Sequence, residues 1–66
     1  MEGVTRKVEE YYRSLLTKLD SGERLPSERS VMAELNSCRT TIRMVLVKLT
    51  AEGRLYPVHG KGYFKL

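Results

Sequence analysis

The chain has 66 residues, enough for one small domain, 1–66. A domain of this size buries only about 60% of the surface its unfolded chain exposes. A deep catalytic cleft with supporting layers is therefore not expected. The net charge is +4, with one cysteine, Cys38, so no internal disulfide framework and no zinc-ligand spacing is available. No apolar run approaches the ~18 residues of a membrane span. The opening MEGVTRKVEE lacks the uninterrupted apolar stretch of a secretory signal. A cytoplasmic protein with no membrane contact is expected.

The charge is unevenly placed. Residues 1–35 carry six Lys/Arg and seven Asp/Glu, whereas residues 36–66 carry six Lys/Arg and only Glu52. A contiguous basic half suggests a polyanionic partner. Nucleic acid is expected before membrane, because no basic amphipathic helix with Trp or Phe on one face is present.

The first predicted element is a helix from Thr5 to Leu19. Val8, Tyr11, Tyr12, Leu15, Leu16 and Leu19 follow the i, i+3, i+4, i+7 spacing of one buried stripe. Thr5 is its candidate N-cap. Tyr11 and Tyr12 lie on the stripe, which favours core packing over base stacking. Asp20–Glu23 punctuates the helix, and Gly22 suits a left-handed stop.

A shorter helix opens at Pro26-Ser27-Glu28, with Ser27 as N-cap and Glu28 in the first turn. Val31, Met32 and Leu35 form its apolar face. Asn36 tolerates positive φ and marks a tight turn. A third helix begins at Ser37 or Cys38 and runs to about Glu52, with Gly53 as its stop. Then RLYPV and YFKL, separated by HGKG, predict a β-hairpin. Pro57 cannot donate to a ladder, so its strand is expected at an edge or at a break. The order is three helices and then a hairpin, a mainly α fold with a small β element.

The third helix is built in two parts. At 100° per residue, Ile42, Val45, Leu46 and Leu49 share about 100° of arc, while Thr40, Arg43, Met44 and Val47 lie opposite. Two helices joined by a short turn, the second with Arg and Thr at its leading end, form the pattern of a helix-turn-helix. The second helix of that motif enters the major groove of DNA.

The residue types suit the task. Arg39 and Arg43 present rigid forks that pair with guanine O6/N7 or with phosphate. The Thr40 and Thr41 hydroxyls can meet phosphate or a base edge. No acid lies three or four residues from either arginine, so the local sequence leaves both unpaired. The loop His59-Gly60-Lys61-Gly62 lets backbone approach a sugar–phosphate wall, with Lys61 adding charge. It is no P-loop, which needs GxxxxGK[ST] between strand and helix.

From Leu25 to Leu66 the sequence resembles the N-terminal DNA-binding domain of the GntR (gluconate-repressor-like) family of bacterial transcription regulators. LPSER, RTTIR, the L-x-A-E-G junction and HGKG-Y-F carry the resemblance. With the preceding helix it covers essentially the whole chain. It implies a winged helix-turn-helix whose wing is the hairpin. It also implies double-stranded DNA as the partner, with Arg29 on the backbone and the segment matched by Arg39, Thr40, Thr41 and Arg43 in the major groove. The wing segment matched by His59, Gly60 and Lys61 approaches the minor groove. The resemblance further implies a metabolite-responsive repressor, since family members usually act as dimers on short inverted repeats. Their larger effector domain is not in this sequence, and the 66 residues alone are expected to be monomeric.

Some positions depart from the family pattern. Asn36-Ser37-Cys38 stands where Gly, an aliphatic residue and Ser or Thr are usual. Ser37 is then a candidate N-cap and DNA contact, and Cys38 a weaker donor to phosphate. A helix N-terminus lowers a thiol pKa, which makes Cys38 a conceivable redox switch; the plainer reading is a small-residue replacement. Met44 occupies a position where an acid is common. The loop Asp20–Arg24 is several residues shorter than usual, so the first helix must turn sharply. The alternative function is a winged helix for protein or RNA contact; a protein-contact version would carry exposed aromatics on the third helix. No catalytic triad, carboxylate pair or metal cluster supports an enzyme, and no cofactor is expected.

Overall fold

The computed structural model describes residues 2–66, with side chains from Thr5 onward. Its elements are α1 (Glu2–Lys18), α2 (Glu28–Leu35), α3 (Arg39–Ala51), β1 (Leu55–Val58) and β2 (Gly62–Lys65).

Helix α1 begins three residues earlier than expected, so Thr5 lies inside it and is not its N-cap. One glycine, Gly3, costs about 1 kcal/mol within a helix and does not stop it. The stripe behaves as the spacing predicts: Val8, Tyr12 and Leu16 are buried, and Tyr11, Leu15 and Leu19 pack at its margin. Tyr11 and Tyr12 meet edge to face, with centroids 5.4 Å apart. Burial pushes the Tyr12 phenol pKa well above its ordinary value. Both rings are thus spent on packing.

Helix α2 is capped by Ser27, whose Oγ accepts from the backbone N–H of Ser30 at 3.1 Å. It ends at Asn36, which takes the left-handed conformation at φ 53° and ψ 45°. The short polar side chain of Asn makes that region accessible, and the chain turns directly into α3. Ile42, Val45, Leu46 and Leu49 are each at most 2% exposed, in contact with α1, α2 and Leu55. Gly53 follows at φ 78° and reverses the chain toward the hairpin.

The hairpin is antiparallel, with Leu55 opposite Lys65, Tyr56 opposite Phe64, Pro57 opposite Tyr63 and Val58 opposite Gly62. Pro57 sits on the open edge strand, where its missing N–H is tolerated. The other edge of β2 carries a feature the sequence reading treated as plain loop. The backbone N–H of Gly22 donates to Lys65, that of Lys65 to Glu23, and that of Leu25 to Tyr63, at 2.8, 2.9 and 2.8 Å. Arg24 forms a bridge opposite Phe64. The short connection after α1 thus works as a third rung of the wing. It turns sharply at Gly22, φ 90°, and pins Leu25 in the core at 3% exposure.

Truncating the clamp should be costly. Ile42→Ala removes a side chain with no exposed surface and is expected to lower unfolding stability by about 2–5 kcal/mol. Urea unfolding checks this; a loss below about 0.5 kcal/mol would mean the position is not packed as described.

Candidate nucleic-acid interface

One concave face runs between the start of α2, the leading half of α3 and the wing. It is lined by Ser27, Glu28 and Arg29 from α2 and its cap, by Arg39, Arg43 and Val47 from α3, and by His59, Gly60 and Lys61 from the wing tip. Arg24 closes one side, beside Gly62, where a Cβ would stand 3.6 Å from Arg24 Nε. Five cationic side chains, Arg24, Arg29, Arg39, Arg43 and Lys61, therefore share this face with one carboxylate, Glu28.

The fold explains the gathering. The left-handed turn at Asn36 brings the starts of α2 and α3 together. The third rung brings Arg24 against the wing. At the wing tip Gly60 takes φ 78°, and the Lys61 N–H donates to the Val58 carbonyl at 2.9 Å. That tight turn leaves His59, Gly60 and Lys61 exposed.

The arginines are not unpaired as the local sequence implied. Arg43 Nε donates to both oxygens of Glu28, at 3.2 and 3.1 Å. Arg39 Nε lies 3.8 Å from Glu28 Oε1. The partner is 15 residues from Arg43 in sequence, on another helix, which an inspection of i±3 and i±4 neighbours cannot find.

Of the residues expected to meet DNA, Arg29, Arg39, Arg43, His59, Gly60 and Lys61 line this face. Thr40 is exposed on α3, and Thr41 is half-buried with its hydroxyl 3.3 Å from Cys38 Sγ. Ser37 corrects two expectations. Its Oγ is buried and has no hydrogen-bond partner among the described residues, so the hydroxyl is not offered to a duplex. The N-cap of α3 is Cys38, at φ −85° and ψ 161°, and it makes no side-chain cap hydrogen bond. Ser37 fills the slot of an aliphatic residue and is drawn inward with the turn. The Thr41 hydroxyl, followed by backbone N–H groups of the first turn, lowers the Cys38 thiol pKa.

Sequence reasoning missed Arg24 and Glu28 as members of this face. Arg24 had a weak signal, a cation adjoining LPSER. Glu28 read only as a first-turn acid.

Away from this face, four charged side chains of α1 and of α3 with its C-cap satisfy one another. Arg13 donates to both Glu52 oxygens at 3.1 and 3.0 Å and to Glu9 at 2.9 Å, and Lys48 reaches Glu9 at 3.0 Å. Lys48 and Arg13 hold the Glu9 carboxyl below its ordinary pKa, and Arg13 does the same for Glu52. These pairs tie α1 to α3 away from the concave face.

No helix among the described residues is long and apolar enough to cross a membrane. Three helices with an antiparallel hairpin beside the leading end of α3 define a winged helix-turn-helix. The chain belongs to the gntR family of bacterial regulatory proteins, whose model matches residues 5–64. It is similar to the AraR DNA-binding domain in its complex with operator ORR3, at 29% identity and TM-score 0.90, covering 96% of this chain and 78% of that one. A GntR family transcriptional regulator from Listeria monocytogenes matches at 22% identity and TM-score 0.85, covering 94% of this chain and 56% of that one. YydK, a possible transcriptional regulator from Bacillus subtilis subsp. subtilis str. 168, matches at 23% identity and TM-score 0.85, over 94% of this chain and 28% of that one. The last two likenesses are of fold.

Proposed function

We propose that this domain reads operator DNA for a bacterial transcription regulator. The leading end of α3 enters the major groove and the wing follows the minor groove. The observation that carries this reading is the concave face lined by five cations from four separate segments and by a single acid. The AraR DNA-binding domain, of the same fold at 29% identity, is bound to operators in its structures, which supports the same partner here.

Roles follow from placement. Arg39 and Arg43 stand on the leading half of α3 with side chains 53% and 61% exposed, and read base edges. Arg24, Arg29 and Lys61 flank them and contact phosphates, which fixes register without reading sequence. Thr40 and the backbone at Cys38 and Thr41 meet phosphate at the helix start. His59 and Gly60 approach the minor groove. Exposed Met44 and Val47 suit apolar contact with thymine methyl groups. No aromatic residue stands on α3 to suggest a protein-contact surface.

The regulator acts in the cytoplasm as a dimer on an inverted repeat, and represses by occupying DNA that polymerase needs. A small-molecule effector acts through a further domain, consistent with the longer regulators that this chain matches only over 56% and 28% of their length.

Sites selected from random duplexes by the wild-type domain supply the test. Arg39→Ala or Arg43→Ala should cost about 1–3 kcal/mol on a selected site and relax preference at one position. Equal losses on selected and random DNA would reassign that arginine to phosphate. Lys61→Ala should weaken all duplexes alike and lower the salt slope by about one unit; an unchanged slope removes the wing from the contact.

A further inference from the structure

Glu28 is a carboxylate on a face that meets a polyanion. Phosphate repels it, so its presence lowers affinity for every duplex. Its geometry offers what offsets that cost. Glu28 is the first residue of α2, and Arg39 and Arg43 stand one turn apart on α3, facing it. Its side chain is 21% exposed, whereas the arginines are more than half exposed. The rigid member of the cluster is therefore the acid, and the mobile members are the bases.

The atoms engaged matter. Both carboxylate oxygens accept from Arg43 Nε. The four N–H groups on the two Nη atoms meet no partner among the described residues. A guanidinium held at Nε keeps its terminal fork, Nη1 and Nη2, free for the two acceptors of guanine. An arginine without such a hold samples many rotamers, which are lost on binding, and its fork meets phosphate as readily as a base.

We propose that Glu28 is a positioning residue for base reading: it grips Arg43 by Nε and flanks Arg39, aiming their terminal forks outward and trading general duplex affinity for sequence selectivity. The inference rests on the operator-reading function proposed above. Glu28 touches no base itself. It acts through Arg43 first, because that contact is a hydrogen bond at 3.1 Å, and through Arg39 second, at 3.8 Å.

The test compares the wild-type domain with Glu28→Ala and Glu28→Gln on wild-type-selected sites and on random duplex of equal length. The ratio of the two affinities is the readout, with thermal unfolding to verify each fold. Both variants should bind random duplex more tightly, since both lose the charge. Glu28→Ala should lower the ratio about three- to tenfold, the cost of ordering one long side chain on binding. Glu28→Gln should recover part of it, because the amide oxygen still accepts from Nε. In an Arg43→Ala background, Glu28→Ala should cause little further loss of selectivity.

An unchanged ratio in both variants overturns the proposal. Equal losses in Glu28→Ala and Glu28→Gln reduce Glu28 to its charge and also overturn it. Additive losses with Arg43→Ala would mean that Glu28 contacts a base of its own, again against positioning. If Glu28→Ala fails to fold, Glu28→Gln decides by its ratio alone. Should the wild-type domain enrich no sequence at all, the operator-reading function itself fails, before Glu28 is tested.

Discussion

The apolar seat of α3 is the constraint on which the rest depends. Ile42, Val45, Leu46 and Leu49 are withdrawn from water on one side of the helix, each worth about 1.5–3 kcal/mol when fully buried. In a chain of 66 residues, that seat is a large share of the core. It fixes the rotation of α3, and rotation decides which residues face outward. Turned by one residue, about 100°, the same helix would bury Arg43 and expose Val45 and Leu49. The leading end is therefore held in place by grease laid down one and two turns later.

Charge is sorted about this axis. On one side Arg13, Lys48, Glu9 and Glu52 satisfy one another and lock α1 to α3. On the other, five cations converge with only Glu28 to answer them. Exposed ion pairs stabilise little individually. Their arrangement here matters more for what they leave uncovered, a basic concavity shaped by two helix starts and a hairpin tip. That concavity is the surface proposed to work on DNA, in a chain of the gntR family.

Periodicity made most of the fold legible. The stripe of α1, the Ser27 cap, the Asn36 turn and the two-sided pattern of α3 are local signals, each resolved within a few residues. The start of α1 was not, because Thr5 resembles a cap and a lone glycine upstream resembles an end. The third rung at Arg24 was hidden because a strand of so few residues has no period to detect. Ser37 looked polar and therefore exposed, yet the turn carries it inward. Glu28 was the largest omission. Its pairing with two arginines is a tertiary contact, written in the packing of α2 on α3. The candidate site was visible as residue types, whereas the contacts among those residues required the fold.

Helix α3 is clamped by its apolar side, which leaves its cationic leading end to face the proposed duplex. Amide-resolved NMR titration of the domain with a selected duplex at low ionic strength tests it most directly. Shifts are expected to concentrate at residues 38–44, at 59–61 and around Arg29, with the amides of Val45, Leu46 and Leu49 little changed. Shifts confined to α1, or an unmoved leading end of α3 at saturation, would contradict it.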